Sequence, residues 1–240
     1  MSTLNYKQFA RRHRPHIHQP GSVLFLTYRL AGSIPRPTLR FYKAKKEWLQ
    51  KEIKQLRNAS LSRQLNLQAR CRELEAFSRD WFLKFEEILH RANDGPMWMQ
   101  DERIAEAVAD SLHALDGTAY RLDVYSVMSN HVHTVFKPFL SEENLREMKD
   151  REGRRLFTSS YPSLSRIMHS VKGSSARECN LILSRSGSFW EHESFDHVIR
   201  PGKFGTTLRY VLNNPVKAGL VKRWQEWPWN YCRKELYDKF

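Results

Sequence analysis

Two histidines one residue apart, His131 and His133, stand in the run "MSNHVHTVFKP", whose β-branched and aromatic residues otherwise read as a strand. Side chains at i and i+2 of a strand point to one face, so the two imidazoles project together while Val132 and Thr134 point to the other. Each ring brings a nitrogen that needs a partner, and two protonated rings side by side repel. A pair so placed suits two ligands of one metal ion. The alternative is a chance pair in a chain with ten histidines, since His16 and His18 show the same spacing in a proline-rich arm.

A second group lies near the other end of the chain, where Tyr210 and Asn214 are four residues apart. On a helix that spacing places both on one face, a turn from each other. A phenol with an ordinary pKa of about 10 is a weak nucleophile at neutral pH. A metal held by His131, His133 and the Asn214 side-chain oxygen would polarise a non-bridging oxygen of a phosphodiester and orient it for in-line attack by Tyr210. The plainer alternative makes Tyr210 a half-buried helix residue and Asn214 a helix-end residue before Pro215.

The elements that must position these groups follow from periodicity and turn signals. After a basic, histidine-rich arm over residues 1 to 21, a β-branched and aromatic run predicts a strand at about 22 to 30. From 37 to 93 long stretches lack Gly and Pro, and Trp48, Leu49, Ile53 and Leu56 recur at helical steps. A turn at 94 to 96 precedes an amphipathic helix with Ile104, Val108 and Leu112 on one face and Asp101 at its start. "YRLDVYSVM" and "HVHTVFKP", separated by Ser129 and Asn130, predict a tight antiparallel hairpin. A charged, mobile segment is expected next, then a helix or broken pair of helices with Lys172–Gly173 as its weak point. A strand-like "SFWEHESFDHVIR" follows, then a helix over about 206 to 213 stopped at Pro215, and closing aromatic packing in "WQEWPWNY".

The totals bound the partners. Forty Lys and Arg against 26 Asp and Glu give a formal charge of +14 over 240 residues, and a pI near 9.9. Polyanions are the expected partners. Basic residues interleave with aromatics around Arg40, Phe41, Tyr42, Lys43, Lys45, Lys46 and Trp48, a mixture that suits phosphate contacts and base stacking but also an ordinary solvated helix face. No apolar run is long enough for a membrane span, and the N-terminus lacks the apolar region of a secretory signal, so a cytoplasmic, nucleoid-associated protein without membrane contact is expected. Cys71, Cys179 and Cys232 are far apart and odd in number, which argues for reduced thiols.

At this point several motifs carry a resemblance. "VMSNHVHTVFKP" resembles the histidine-hydrophobe-histidine motif of the single-tyrosine HUH transposases, in the IS200-like superfamily, and "YVLNNPVKAGLV" resembles the tyrosine helix of their REP-associated branch. The resemblance extends through "HRPHIHQPGSVLFLTYRLAGSIP", "GPMWMQDERIAEAVADSL", "SLSRIMHSVKGSSARECN", "GSFWEHESFDHVIR" and "WPWNY", leaving out about residues 37 to 80. It implies His131, His133 and Asn214 as ligands of Mg²⁺ or Mn²⁺. It also implies Tyr210 as the nucleophile that forms a covalent 5′-phosphotyrosine and leaves a free 3′-hydroxyl. The implied substrate is single-stranded DNA carrying a REP-type palindromic hairpin. The implied fold is α/β (α+β): a ferredoxin-like core with a central antiparallel sheet flanked by helices, one domain over 1–240 with a helical insertion at about 37–93. Ser129 and Glu191 depart from the usual proline and glutamine, and the insertion has no counterpart in minimal members.

Lys172, Arg177, Arg185 and Arg200 are candidate phosphate contacts. The branch resembles monomers that act in cis, so a monomer is expected. Three other classes compete: a domesticated protein that grips hairpin DNA without cutting it, a zinc hydrolase with His192 or His197 as third ligand, and an RNA-binding domain. The last lacks the aromatic stacking signature on a strand.

Overall fold

The computed structural model describes residues 21–57, 64–91, 95–139, 145–149, 155–159 and 164–239. The arm carrying His16 and His18 lies outside these residues. The run "LFLTYR" makes strand β1 (Leu24–Arg29), buried along its whole length. A strand buried on both faces belongs inside a sheet. β1 pairs antiparallel with β3 (His131–Pro138) on one side and β6 (Phe195–Val198) on the other. β3 pairs with β2 (Tyr120–Val127), and β2 with β7 (Asn230–Cys232), giving the antiparallel order β6-β1-β3-β2-β7. The Met128 N–H donates to the His131 carbonyl at 2.8 Å, closing the hairpin over Ser129 and Asn130 as the spacing predicts.

The helices are α1 (Arg36–Arg57), α2 (Gln64–Arg91), α3 (Glu102–His113), α4 (Leu164–Ile182), α5 (Phe204–Leu212) and α6 (Asn214–Lys217). With α1, α2 and a separate two-stranded pair between β3 and α4 set aside, the chain runs β1-α3-β2-β3-α4-β6, and its four strands lie in the order fourth, first, third, second. This is the β-α-β-β-α-β arrangement of a ferredoxin-like core, the α+β class that the motifs imply.

Strand parity assigns the two faces. Leu24, Leu26, Tyr28, Val132 and Phe136 pack with Ile104, Val108 and Leu112 of α3 and Ile167 and Val171 of α4. Phe25 and Val135 pack instead with Leu208, Val211 and Leu212 of α5. His131 and His133 share the parity of Val135, so they lie on the α5 face. The register of β2 shifts between Leu122 and Val124, and the extra residue moves Val124 onto that face as well. Asp123, at the shift, is fully buried and held by Arg121 at 3.1 Å and Arg233 at 2.9 Å.

The predicted helical section is an antiparallel pair. Tyr42 of α1 packs its ring on Phe77, Trp81 and Phe85 of α2, while Lys45 reaches back to Glu73 at 3.3 Å. The two ends of the insertion meet at Gly32 and Gly95. Gly95 has φ +80°, and a Cβ there would stand 2.3 Å from the Gly32 carbonyl oxygen and 2.9 Å from the Ser33 Cα. Gly95→Ala therefore combines a left-handed strain with a backbone clash. We expect it to lower stability by about 2–4 kcal/mol, read as a shift in the urea midpoint; an unchanged midpoint would show that the two ends part freely.

Two readings are completed by the structure, and two need correction. α4 runs unbroken through Lys172–Gly173, because Ile167, Met168, Val171, Ser175 and Cys179 are buried on both sides of the glycine and outweigh its helix cost of about 1 kcal/mol. α5 ends at Leu212, as the expected stop requires, and Pro215 lies just beyond the break. It sits in the first turn of α6, where a missing N–H leaves no helical bond unmade. The charged segment after β3, expected to be mobile, holds two paired strands, β4 (Leu145–Lys149) and β5 (Arg155–Ser159). The aromatic tail adds β7 to the sheet edge. All three cysteines are free, with Cys179 and Cys232 buried. Among the described residues no helix is long and apolar enough to cross a membrane.

Candidate metal and tyrosine site

The central strand presents the histidine pair fully buried, with His131 Nε2 and His133 Nε2 3.0 Å apart. The tautomer of His131 follows from its neighbours. The Asn130 amide nitrogen donates to the Leu89 carbonyl at 3.0 Å, so its Oδ1 is the acceptor for His131 Nδ1–H at 2.7 Å. The His131 Nε2 lone pair is therefore left facing His133. On the neighbouring strand, Thr27 Oγ1 lies 2.7 Å from His133 Nδ1. Two buried Nε2 atoms at this separation are satisfied by one shared proton or one shared cation, with Asn130 and Thr27 orienting the rings from behind. Burial, reinforced by His133, pushes His131 well below the usual imidazole range, which keeps it in the neutral form that ligates.

The helix opposite supplies the second group. Asn214 Nδ2 donates back to the Tyr210 carbonyl at 2.8 Å and to Val211 at 3.3 Å, so the one-turn relation of Tyr210 and Asn214 survives the break between α5 and α6. With its nitrogen so placed, Asn214 Oδ1 accepts from His90 Nε2–H at 2.8 Å. The Tyr210 ring lies 5.6 Å from the His133 ring, and its hydroxyl donates to Glu86 Oε2. The same carboxylate oxygen is 3.2 Å from His133 Nε2. His131, His133, Tyr210 and Asn214 are thus brought to one place, connected through residues of α2.

Those α2 residues were not anticipated. Glu86, His90, His131 and His133 offer ligand atoms all within 4.8 Å of one another. Phe82, Glu86, Leu89 and His90 recur at three- and four-residue steps and form the helix stripe that faces the sheet. Phe82 stacks on Phe195 at 4.2 Å and meets Phe25 edge-on at 5.9 Å. A Glu and a His one turn apart were the available signal, but nothing in α2 itself says that this face meets the histidine strand.

Electrostatics set the resting state. Burial raises the Glu86 carboxyl, but the neighbouring His133 and His131 and the Tyr210 hydrogen bond outweigh it and hold it at about 2. Burial raises Tyr210, and the Glu86 charge and its accepting hydrogen bond raise it further. The phenol rests neutral on a carboxylate. Lys217 Nζ stands 4.2 Å from the Tyr210 ring centroid, and burial draws its ammonium below the usual lysine range. A cleft of about 470 Å³, lined by Glu86, His90, Arg91, Tyr210 and Lys217, opens beside the tyrosine.

The other expected residues are placed differently. Lys172 Nζ donates to the carbonyls of Glu191 at 2.9 Å and His192 at 3.3 Å and to Ser194 Oγ at 2.8 Å, and burial pushes its ammonium down to about 8. Arg185 donates to Asn180 Oδ1 at 2.6 Å and covers the Trp98 ring. Arg177 and Arg200 are exposed. His192 and His197 stand outside the ligand cluster, the latter packed on Phe25.

Fold and site together define an α+β protein whose ferredoxin-like sheet floors a buried His-x-His pair, roofed by a tyrosine helix and by an inserted helix that brings a carboxylate and a third histidine. No protein-family model matches the chain, and no curated protein matches it. A solved structure of a REP-associated tyrosine transposase bound to a REP hairpin is similar over 96% of this chain and 82% of that one, at 13% identity and a TM-score of 0.43. A likeness at that level bears on neither fold nor function, which rest on the chain's own topology and side chains.

Proposed function

We propose that the protein is a divalent-metal-dependent nuclease and strand transferase that nicks and rejoins single-stranded DNA beside REP-type hairpins through Tyr210, as a REP-associated tyrosine transposase does. The observation that carries this reading is the continuous link from the Tyr210 hydroxyl through Glu86 to the paired histidines. The motif resemblance over most of the chain supports the same substrate class.

The residues present fit a divalent cation. His131 offers an oriented lone pair, His133 lies beside it with the Glu86 carboxylate 3.2 Å away, and Asn214 Oδ1 is one hydrogen bond removed, on His90. Imidazoles alone do not favour Mg²⁺ or Mn²⁺, whereas a carboxylate does. When bound there, the cation would neutralise charge on a scissile phosphate. The chain's own groups do the rest. Tyr210 Oη bonds to phosphorus and passes its proton to Glu86 Oε2. The P–O3′ bond breaks, and the departing 3′ oxygen takes a proton from solvent. Lys217 and Arg91 at the cleft offset phosphate charge, and exposed Arg177 and Arg200 suit contacts farther along the strand. The products are a 5′-phosphotyrosine and a free 3′-hydroxyl, and the retained ester drives rejoining without ATP. Tyr210 stands over the histidines of its own chain, which suits a monomer acting in cis.

One observation favours a second reading, a non-catalytic hairpin-binding protein. In the resting site the Tyr210 hydroxyl and the Asn214 oxygen are both taken by α2. End-labelled hairpin DNA with Mn²⁺, Mg²⁺ or chelator separates the two. An adduct that survives denaturant and needs the metal supports the nuclease, while binding without cleavage in every metal leaves the second. Within the first reading, Glu86→Gln removes the proton acceptor and replaces a charged carboxylate donor by a neutral amide oxygen. We expect adduct formation to slow about 100- to 10,000-fold and to need more Mn²⁺; an unchanged rate at unchanged metal would remove Glu86 from the chemistry.

A further inference from the structure

The two helices of the insertion differ sharply in charge. α1 carries eight basic and two acidic residues, a net +6, while α2 carries five of each and is neutral with histidine uncharged. On α1 the exposed residues Arg36, Arg40, Lys43, Lys51 and Lys54 recur at helical steps and form one outward stripe, interrupted only by Glu47. None of the five makes an ion pair among the described residues, whereas Lys45 beside them is paired with Glu73. A solvated face with no partner usually mixes both signs, as α2 does. Next to the stripe lie Phe41, 63% exposed with its ring tilted on Trp81, and Trp48, 42% exposed with Lys45 and Arg70 over its ring.

The stripe also has a direction. Tyr42 packs on Phe85, the neighbour of Glu86, so the Arg36–Arg40 end of α1 lies toward the Tyr210 site and the Lys54 end points away. The eighteen helical steps from Arg36 to Lys54 span about 27 Å, the length of about eight base pairs of duplex.

We propose that the outer face of α1 is a binding surface for the sugar–phosphate backbone of the DNA that enters the Tyr210 site, with the exposed Phe41 ring as a stacking platform for an unpaired base. This names a second contact for the same substrate and so rests on the DNA reading above.

The test is fluorescence anisotropy on a labelled stem-loop oligonucleotide with a single-stranded tail, titrated with salt. The triple variant Arg40→Ala, Lys43→Ala, Lys51→Ala, altered only at exposed side chains, should weaken binding about 10- to 100-fold and flatten the log–log salt slope by about two to three. A matched α2 variant, Arg72→Ala, Arg79→Ala, Lys84→Ala, should change the slope far less. Equal effects from both, or no change in the α1 variant, would overturn the proposal. So would loss of binding to phosphatidylserine vesicles with DNA binding intact, which would assign the face to a membrane surface. If wild type forms no adduct but the slopes still differ, the surface stands and the nuclease reading fails.

Discussion

Tyr210→Phe should form no denaturant-resistant adduct with hairpin DNA and should cut it at least about 10,000-fold more slowly than wild type. The change removes only an oxygen, so the ring contacts to Phe25 at 5.8 Å and Phe82 at 6.4 Å persist. The fold should lose no more than the about 1–3 kcal/mol of a buried carboxylate deprived of one donor. Binding should therefore survive, which separates a chemical defect from a structural one. The check is a denaturing gel of end-labelled oligonucleotide in Mn²⁺, beside an anisotropy measurement on the same samples. Cleavage persisting in the Phe variant, with no adduct in either protein, would instead assign the reaction to water activated at the Glu86, His90, His131, His133 cluster.

His131→Ala should abolish cleavage while leaving hairpin affinity within a few-fold of wild type. The ring is buried, with its Nδ1–H committed to Asn130, so its Nε2 has no task in the fold beyond meeting His133. Truncation leaves a cavity and an unpaired Asn130 oxygen, together about 2–4 kcal/mol, and a thermal melt must show that the variant is still folded. Mn²⁺ titration by calorimetry, without DNA, should show affinity reduced about 100-fold or more. A folded His131→Ala protein that still cuts, or that binds Mn²⁺ like wild type, would remove the metal site from the mechanism.

Each half of the site was legible where one backbone period governs it. The alternation of β3 places His131 and His133 on one face whatever the rest of the chain does, and the helical step relates Tyr210 to Asn214 even across the break between α5 and α6. The hairpin at Ser129–Asn130 and the N-cap at Asp101, whose side chain accepts from the Arg103 N–H, are local in the same way. Local rules ran out where a tertiary demand decided. Gly173 leaves one helix or two open, and buried neighbours on both sides decide for one. Pro215 marks the end of α5, but nothing local says that it also lies in the first turn of a short α6. β7 could not be read from an aromatic tail, because pairing with β2 is what makes three residues a strand.

What the sequence determined by itself was therefore the reactive vocabulary: the paired imidazoles, the phenol with its amide one turn on, the basic charge and the order of elements that yields a ferredoxin-like core. What only the tertiary structure decided was the part played by the insertion. Glu86 meets Tyr210 across 124 residues, and Leu89 meets Asn130 across 41. No periodicity reaches that far. Such contacts depend on how α2 docks on the sheet, through the buried rings of Phe82, Phe25 and Phe195 and the clasp at Gly32 and Gly95, and docking is a property of the packed whole rather than of any window of residues.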